Sequence, residues 1–481
     1  MKILSCCLTR VLLLVAVALQ FVDAQAIVET RFASRVSQQR LLTTVRELVK
    51  LGNRWGGTES GDRAVAYLER KFKSFGLHVE VIEEPERLVF THTSWSLRVE
   101  EPKGLRRLIK NEWLAGFSPS VALTKAELVG LPPWEDLEDN SLKGKAILLE
   151  SSLTDRQYQR LAEAGVSALL LISPRLPGAY TDWALIENLK ASETNRVPLF
   201  NLSRNSGEAL IAALERREKI VISFSALTKI GWGRPKTVVA TLPGKRDSYY
   251  LICAHGDADS GGPGADDNAS GVSGVVELAR TLGGMVRTRL IPQPEHSIKF
   301  VVWGAEIYST QHYVRSNADE LEKIQAVLNY DEIGTGATRN CLYFESNDVE
   351  HNARLLRTLE QIGEEYVGKR GFWEEATTNP SQGGTDSYVF LPSWLRRLRV
   401  PEVEIPSVTI YTGAWNELKR LPQTEGWHSK AWKGPRDTVY VDFSAYYHSS
   451  LDIPERTTER EPFNMTWAVK AVGIALLRLA W

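Results

Sequence analysis

Cysteine is scarce in this sequence: four in 481 residues, two of them at positions 6 and 7. A scaffold stapled by disulfides is therefore excluded. The remaining pair, Cys253 and Cys341, sits in apolar strand-like runs, where one disulfide or two buried thiols would fit. Net charge is equally sparse, because Lys+Arg 58 against Asp+Glu 59 leaves −1. No overall field exists to hold nucleic acid or an anionic membrane. Low-complexity tracts are missing, which excludes a largely disordered chain, and no internal repeat is present. No apolar run reaches the roughly 20 residues of a membrane-spanning helix. The longest, VLLLVAVALQFV, follows a weakly basic stretch from Lys2 to Arg10 and precedes Val22-Asp23-Ala24. That order reads as a secretory signal peptide over residues 1–24, so a secreted, periplasmic or extracellular product without a membrane anchor is expected. Sequons at Asn201, Asn268 and Asn464 are compatible with that route.

What is present suffices for a large folded molecule, with 43% hydrophobic residues and 14 Trp to fill cores. The length predicts more than one domain. SRVSQQRLLTTVRELVKL and SGDRAVAYLERKFKSFG carry apolar residues at helical spacing, joined by the Gly-rich NRWGGTESGD, and HVEVIEE alternates as a strand. Between about residues 117 and 228 short apolar strands (AELVGL, KAILLE, ALLLIS) accompany the helices RQYQRLAEAG and SGEALIAALERRE, as in a separate small domain. From Lys236 onward strands and helices alternate: TVVATL, YYLICAH, NASGVSGVVELARTL, SIKFVVW, AVLNY, CLYFES and a helix from Asp348 to about Tyr366. Such alternation predicts an α/β sandwich on a mixed, largely parallel sheet.

Open α/β sheets bind ligands beyond the carboxyl ends of their strands. Three such ends carry candidates: His255 and Asp267 after YYLICAH, Glu306 after SIKFVVW and Asp331 after AVLNY. Imidazole nitrogen with carboxylate oxygen suits a divalent metal, so His255, Asp267 and Asp331 are candidate ligands. Asp257, two residues after His255, is placed to accept the other imidazole N–H. The plainer reading, that Asp266 and Asp267 only cap the following helix, explains neither His255 nor Asp331.

The ordered motifs HGDADSGGPGADDNASGVSGV, FVVWGAE, NYDEIG, GGTDS and YYHSSLD resemble the co-catalytic zinc aminopeptidase family, which includes plasma glutamate carboxypeptidase and glutaminyl cyclase. The similarity covers essentially the whole chain after residue 24. The resemblance implies a three-layer αβα sandwich formed by residues 25–116 and 229–481, with a protease-associated domain inserted at 117–228. It further implies one zinc held by His255 and Asp331, Asp267 bridging to a second, and His448 on that second ion. Glu306 matches the first of two adjacent glutamates, the general base. Tyr447 lies where the family uses a tyrosine to donate to the tetrahedral oxyanion, and Asp386 where it has a pocket-lining SD or TD pair.

The sequence departs where the second glutamate belongs: Ile307 follows Glu306, and a few residues are deleted before Tyr313. Two readings stay open. Either Glu306 is the base beside one intact site and a weakened second one, or the shortened loop swings Glu306 onto the metal near His448. His312 and Asp386 are possible replacement groups. The Trp-rich stretch between Tyr411 and Tyr440, with its His428, could wall a pocket or pack on itself. The expected activity is that of a metal-dependent exopeptidase, of aminopeptidase or dipeptidase/carboxypeptidase type, acting on peptides or dipeptides with one or two zinc ions. The competing expectation is a catalytically degenerate binding protein.

Overall fold

The computed structural model describes residues 25–481 except 110–111, 135–140, 173–195, 259–261, 335–339, 347, 349, 374, 380–383, 415–447, 449–450 and 461. The expected signal peptide at residues 1–24, Tyr447, His428 and the Trp-rich stretch beyond residue 414 lie outside the described residues.

Two sheets organise the chain. In the larger, eight strands run in the order His78–Glu83, Lys236–Leu242, His296–Trp303, Arg246–His255, Ile324–Tyr330, Ser407–Ala414, Asn340–Glu345, Glu375–Asn379. The strands ending in Trp303, His255 and Tyr330 and the strand Ser407–Ala414 are mutually parallel, and antiparallel partners flank them. The sheet is therefore mixed, as expected. The central strand Arg246–His255 is buried on both faces, which is why it reads as a continuous apolar run rather than an alternation. Its residues divide between two cores: Tyr250, Ile252 and Ala254 pack on one side of the sheet, Tyr249, Leu251 and Cys253 on the other. Helices cover both faces, completing the three-layer sandwich.

Local sequence chemistry explains the helices near the site. Ser37 caps Gln38–Val49 by accepting from the Arg40 N–H, and Leu41, Val45 and Leu48 turn inward. Thr58 caps Glu59–Ser74 in the same way, with Glu59 and Asp62 in the first turn and Lys71 and Lys73 in the last, each sign matched to the helix dipole. The final helix, Phe463–Leu479, is apolar on nearly every side and packs against Gly271–Arg287 and Ala353–Tyr366. Among the described residues no helix is long and apolar enough to cross a membrane. Cys253 is a free, buried thiol rather than half of a disulfide.

The smaller, seven-stranded sheet runs Arg87–Glu101, Ile220–Gly233, Val121–Gly130, Ala146–Leu149, Ala168–Ile172, Leu199–Leu202, Trp113–Leu114. Its strands span Arg87 to Gly233, wider than 117–228, because the long pair Arg87–Glu101 and Ile220–Gly233 leads the chain in and out. At its base, glycines meet the larger body. A Cβ on Gly233 would collide with the Gly57 carbonyl, and one on Gly56 with the Gly304 carbonyl. Only glycine permits these approaches.

Candidate metal centre

His255 ends its strand opposite Trp303 of the parallel neighbour, so the loops following both strands rise side by side. Asp331 follows Tyr330 at the end of the next strand, its N–H bonded to the Ile410 carbonyl. These ends bring three side chains together: one donor atom each from His255, Asp267 and Asp331 lies within 4.8 Å of the others. His255 Nε2 stands 3.3 Å from Asp267 Oδ1 and 3.4 Å from Asp331 Oδ1. The second oxygen of Asp267 is 3.0 Å from His448 Nε2. Asp267 thus faces both histidines with different oxygens.

Around this cluster each polar group has an assigned place. His255 Nδ1 lies 3.1 Å from the Asp257 carbonyl and 3.3 Å from Asp257 Oδ1, which also accepts the Glu306 N–H. Asp257 therefore orients the imidazole and anchors the Glu306 loop together. Thr385 donates to Asp331 Oδ2 at 2.5 Å, leaving Asp331 Oδ1 buried without a hydrogen bond and facing the imidazole at 3.4 Å. A buried carboxylate oxygen without a donor costs free energy unless a cation meets it. Imidazole nitrogen with carboxylate oxygens is a donor set suited to zinc or a similar divalent ion. The residues present fit such an ion.

The charges of the cluster act on one another. Burial opposes charging His255, but the negative charges of Glu306 and Asp331 outweigh it and hold the imidazole well above its usual range. Burial also favours a neutral Asp267, yet hydrogen bonds from His255 and His448 keep that carboxylate well below its usual range. Burial, with Asp331, Asp386 and Asp267 nearby, pushes Glu306 well above the usual carboxylate range despite His255. Asp257 Oδ1, shared between the Glu306 N–H and His255 Nδ1, sets the Glu306 backbone on the His255 side of the cluster.

The Glu306 loop is shaped by a strained residue. Ile307 has φ +58°, a region costly for a β-branched side chain. It is held there by carboxylates: Asp386 Oδ1 accepts from the Ile307 N–H at 2.8 Å and from the Thr310 hydroxyl. Ser309 accepts the Ala305 N–H and donates to buried Glu84 at 2.6 Å. Asp386 thus clamps the loop and is not among the three clustered ligands. His312 Nε2 lies 3.4 Å from Ser316 on its own helix and takes no part. Ile307→Gly is expected to raise stability by about 1 kcal/mol, measured as a shift of the urea midpoint.

Several organising residues escaped sequence reading. Arg54, 1% exposed, donates to the carbonyls of Gly52, Gly256, Pro263 and Gly264 and so ties down the loop between His255 and Asp267. Burial lowers its pKa to about 10 against the pull of Asp257, Asp452 and Asp267, so it stays cationic at neutral pH. Asp452, fully buried, accepts the N–H groups of Asp266 and Asp267 at 2.8 and 3.0 Å. Glu332, at φ +46°, is buried with Oε1 unpartnered. Burial first, then Asp267, Asp266, Asp331 and Asp452, hold it well above the usual carboxylate range. Arg54 lies in the Gly-rich NRWGGTESGD, whose only sequence signal is a turn. Asp452 closes YYHSSLD, a motif whose histidine draws the eye first.

Residues 237–472 match the family model described as Peptidase family M28. Leucine aminopeptidase 2 of Arthroderma otae is 26% identical over 208 residues, covering 42% of this chain and 39% of that protein. The match thus spans well under half of that relative's length. Among solved structures, a Peptidase M28 precursor from Shewanella amazonensis superposes with TM-score 0.64 at 18% identity, over 95% of this chain and 96% of that one. BSAP, a zinc aminopeptidase from Bacillus subtilis, gives 0.61 at 19% identity, over 92% and 95%. At these identities the two structures establish the fold.

Proposed function

Because residues 237–472 match the model of peptidase family M28, we propose that the protein is a zinc-dependent exopeptidase that removes the amino-terminal residue of peptides. The observation that carries this reading is the buried Asp331 Oδ1, without a hydrogen bond and turned toward His255 Nε2, with Asp267 completing the triangle. His255, Asp267 and Asp331 would hold one zinc tightly. His448 and Asp267 would offer a second ion only two side chains, since Ile307 stands where a further carboxylate is expected. One tightly held ion per chain is therefore the proposed state. We further propose export, directed by residues 1–24, and a protease-associated role for the smaller sheet.

A zinc ion held there would supply Lewis-acid polarisation of the scissile carbonyl and a more acidic water. The chain's own part is proton handling. Glu306, held beside the cluster by its N–H bond to Asp257, accepts the proton of the attacking water and returns it to the leaving amine. Asp257 holds the His255 ring and the Glu306 backbone in one register, so base and ligand cannot drift apart. Thr385 fixes the Asp331 carboxylate, leaving the other oxygen for the cation.

Metal analysis of purified protein, coupled to hydrolysis assays on peptides free or blocked at either end, tests the reading. The expected result is zinc near one per chain and cleavage only with a free amino terminus. No retained divalent metal together with no cleavage would leave a degenerate binding protein in its place. Asp452→Asn removes one of two acceptors holding the Asp267 turn, and zinc affinity is expected to fall about 10–100-fold, read by competition with a fluorescent chelator. An unchanged affinity would remove Asp452 from the positioning role.

A further inference from the structure

A whole-chain charge of −1 conceals local segregation. A cleft of about 720 Å³ opens where the link before helix Gln38–Val49 meets the far end of helix Gly271–Arg287. Arg35, Arg40, Arg280 and Arg287 line it, and no Asp or Glu is among its lining residues. Beneath lies Glu277, 3% exposed, which accepts from Arg40 Nε at 3.3 Å, from Arg280 Nε at 2.8 Å and from the Ser37 N–H at 2.7 Å. The Arg35 carbonyl accepts from Arg40 Nη2 at 3.1 Å and Arg280 Nη2 at 2.7 Å.

Three of the four guanidinium groups are therefore held before any ligand arrives, Arg287 by the Phe75 carbonyl at 2.8 Å, and one buried carboxylate cannot balance four arginines. The N-terminus of helix Gln38–Val49 adds its positive dipole end to the same rim. The floor is open as well: a Cβ at Gly284 would meet nothing within 4 Å. The cleft is also remote from the His255 cluster. Helix Gly271–Arg287 starts just after Asp267 and runs about 25 Å before reaching Arg287.

We propose that this cleft binds a small oligoanion carrying neighbouring sulfate or phosphate ester groups. Guanidinium forks match the oxygens of both groups. A single anion would engage only part of the four-arginine lining, whereas adjacent ester groups on one carrier use all of it. The volume suits a ligand of a few sugar rings. Nucleic acid is not implied, since the chain as a whole carries a net charge of −1.

The test is titration of the purified protein with a labelled heparin-derived hexasaccharide and with inositol hexakisphosphate, in about 50 mM salt. Binding is expected to weaken steeply as salt rises. Two variants keep the result interpretable. Arg35→Glu with Arg287→Glu reverses charge at exposed positions, and Gly284→Phe fills the floor without changing charge. Both are expected to weaken binding roughly tenfold or more with peptidase activity and circular dichroism unchanged. The tighter of the two probes identifies sulfate or phosphate as the natural group. Unchanged affinity in both variants, no binding of either probe, or equal competition by inorganic sulfate at the same concentration would overturn the proposal.

Discussion

Glu306→Gln is expected to lower kcat by about 10²–10⁴-fold, the usual contribution of a positioned general base, while zinc content and KM stay near those of the parent. The substitution keeps shape and the Glu306 N–H bond to Asp257, which belongs to the backbone. It removes only the capacity to take a proton. Glu306 is not among the three clustered ligands, so the metal should remain. If the variant instead loses zinc in proportion to activity, Glu306 is a ligand and the shortened loop has carried it onto the ion. Parallel zinc analysis and initial rates distinguish the two outcomes.

Arg54→Met is expected to cost about 3–5 kcal/mol of stability, the range for breaking a buried charged network by removing one partner. Methionine fills much of the volume but leaves four carbonyls without their donor, those of Gly52, Gly256, Pro263 and Gly264. Asp257, Asp267 and Asp452 would also lose the cation that faces them. The loss should be larger in chelator than with zinc present, because a bound ion takes over part of the compensation. Urea unfolding with and without chelator measures it. A loss below about 1 kcal/mol in both conditions would show that the loop between His255 and Asp267 holds its shape without the guanidinium.

The site was legible wherever chemistry interrupted a strand. YYLICAH, SIKFVVW and AVLNY are apolar because they are buried on both faces, so His255, Glu306 and Asp331 stood out at their ends. Asp257 was legible from its spacing alone, and an α/β sandwich from the alternation of elements; its three layers came from the family resemblance. Other parts had no such contrast. Helix Phe463–Leu479 is apolar all round and therefore shows no stripe of helical period. Arg54 acts on residues about two hundred positions away, and a lone arginine in a Gly-rich link carries no periodic or motif signal. The strain at Ile307 was invisible because a backbone angle is not written in residue type. The replacement of a glutamate by isoleucine was visible. That the loop is nonetheless pinned by Asp257, Asp386 and, through Ser309, Glu84 was not.

The cluster draws its parts from far along the chain: Arg54 near one end, His255 and Asp267 in the middle, His448 and Asp452 near the other. During synthesis the domain emerges from the ribosome N-terminal end first. His255, Asp267 and Asp331 are exposed long before Asp452 exists to fix the Asp267 turn. A nascent chain therefore cannot hold a well-shaped cation site until nearly its whole length has been made. Under the proposed function, loading with metal would follow the placing of Asp452, and a chain truncated before residue 448 would leave the acidic pocket ill-formed whatever the supply of zinc.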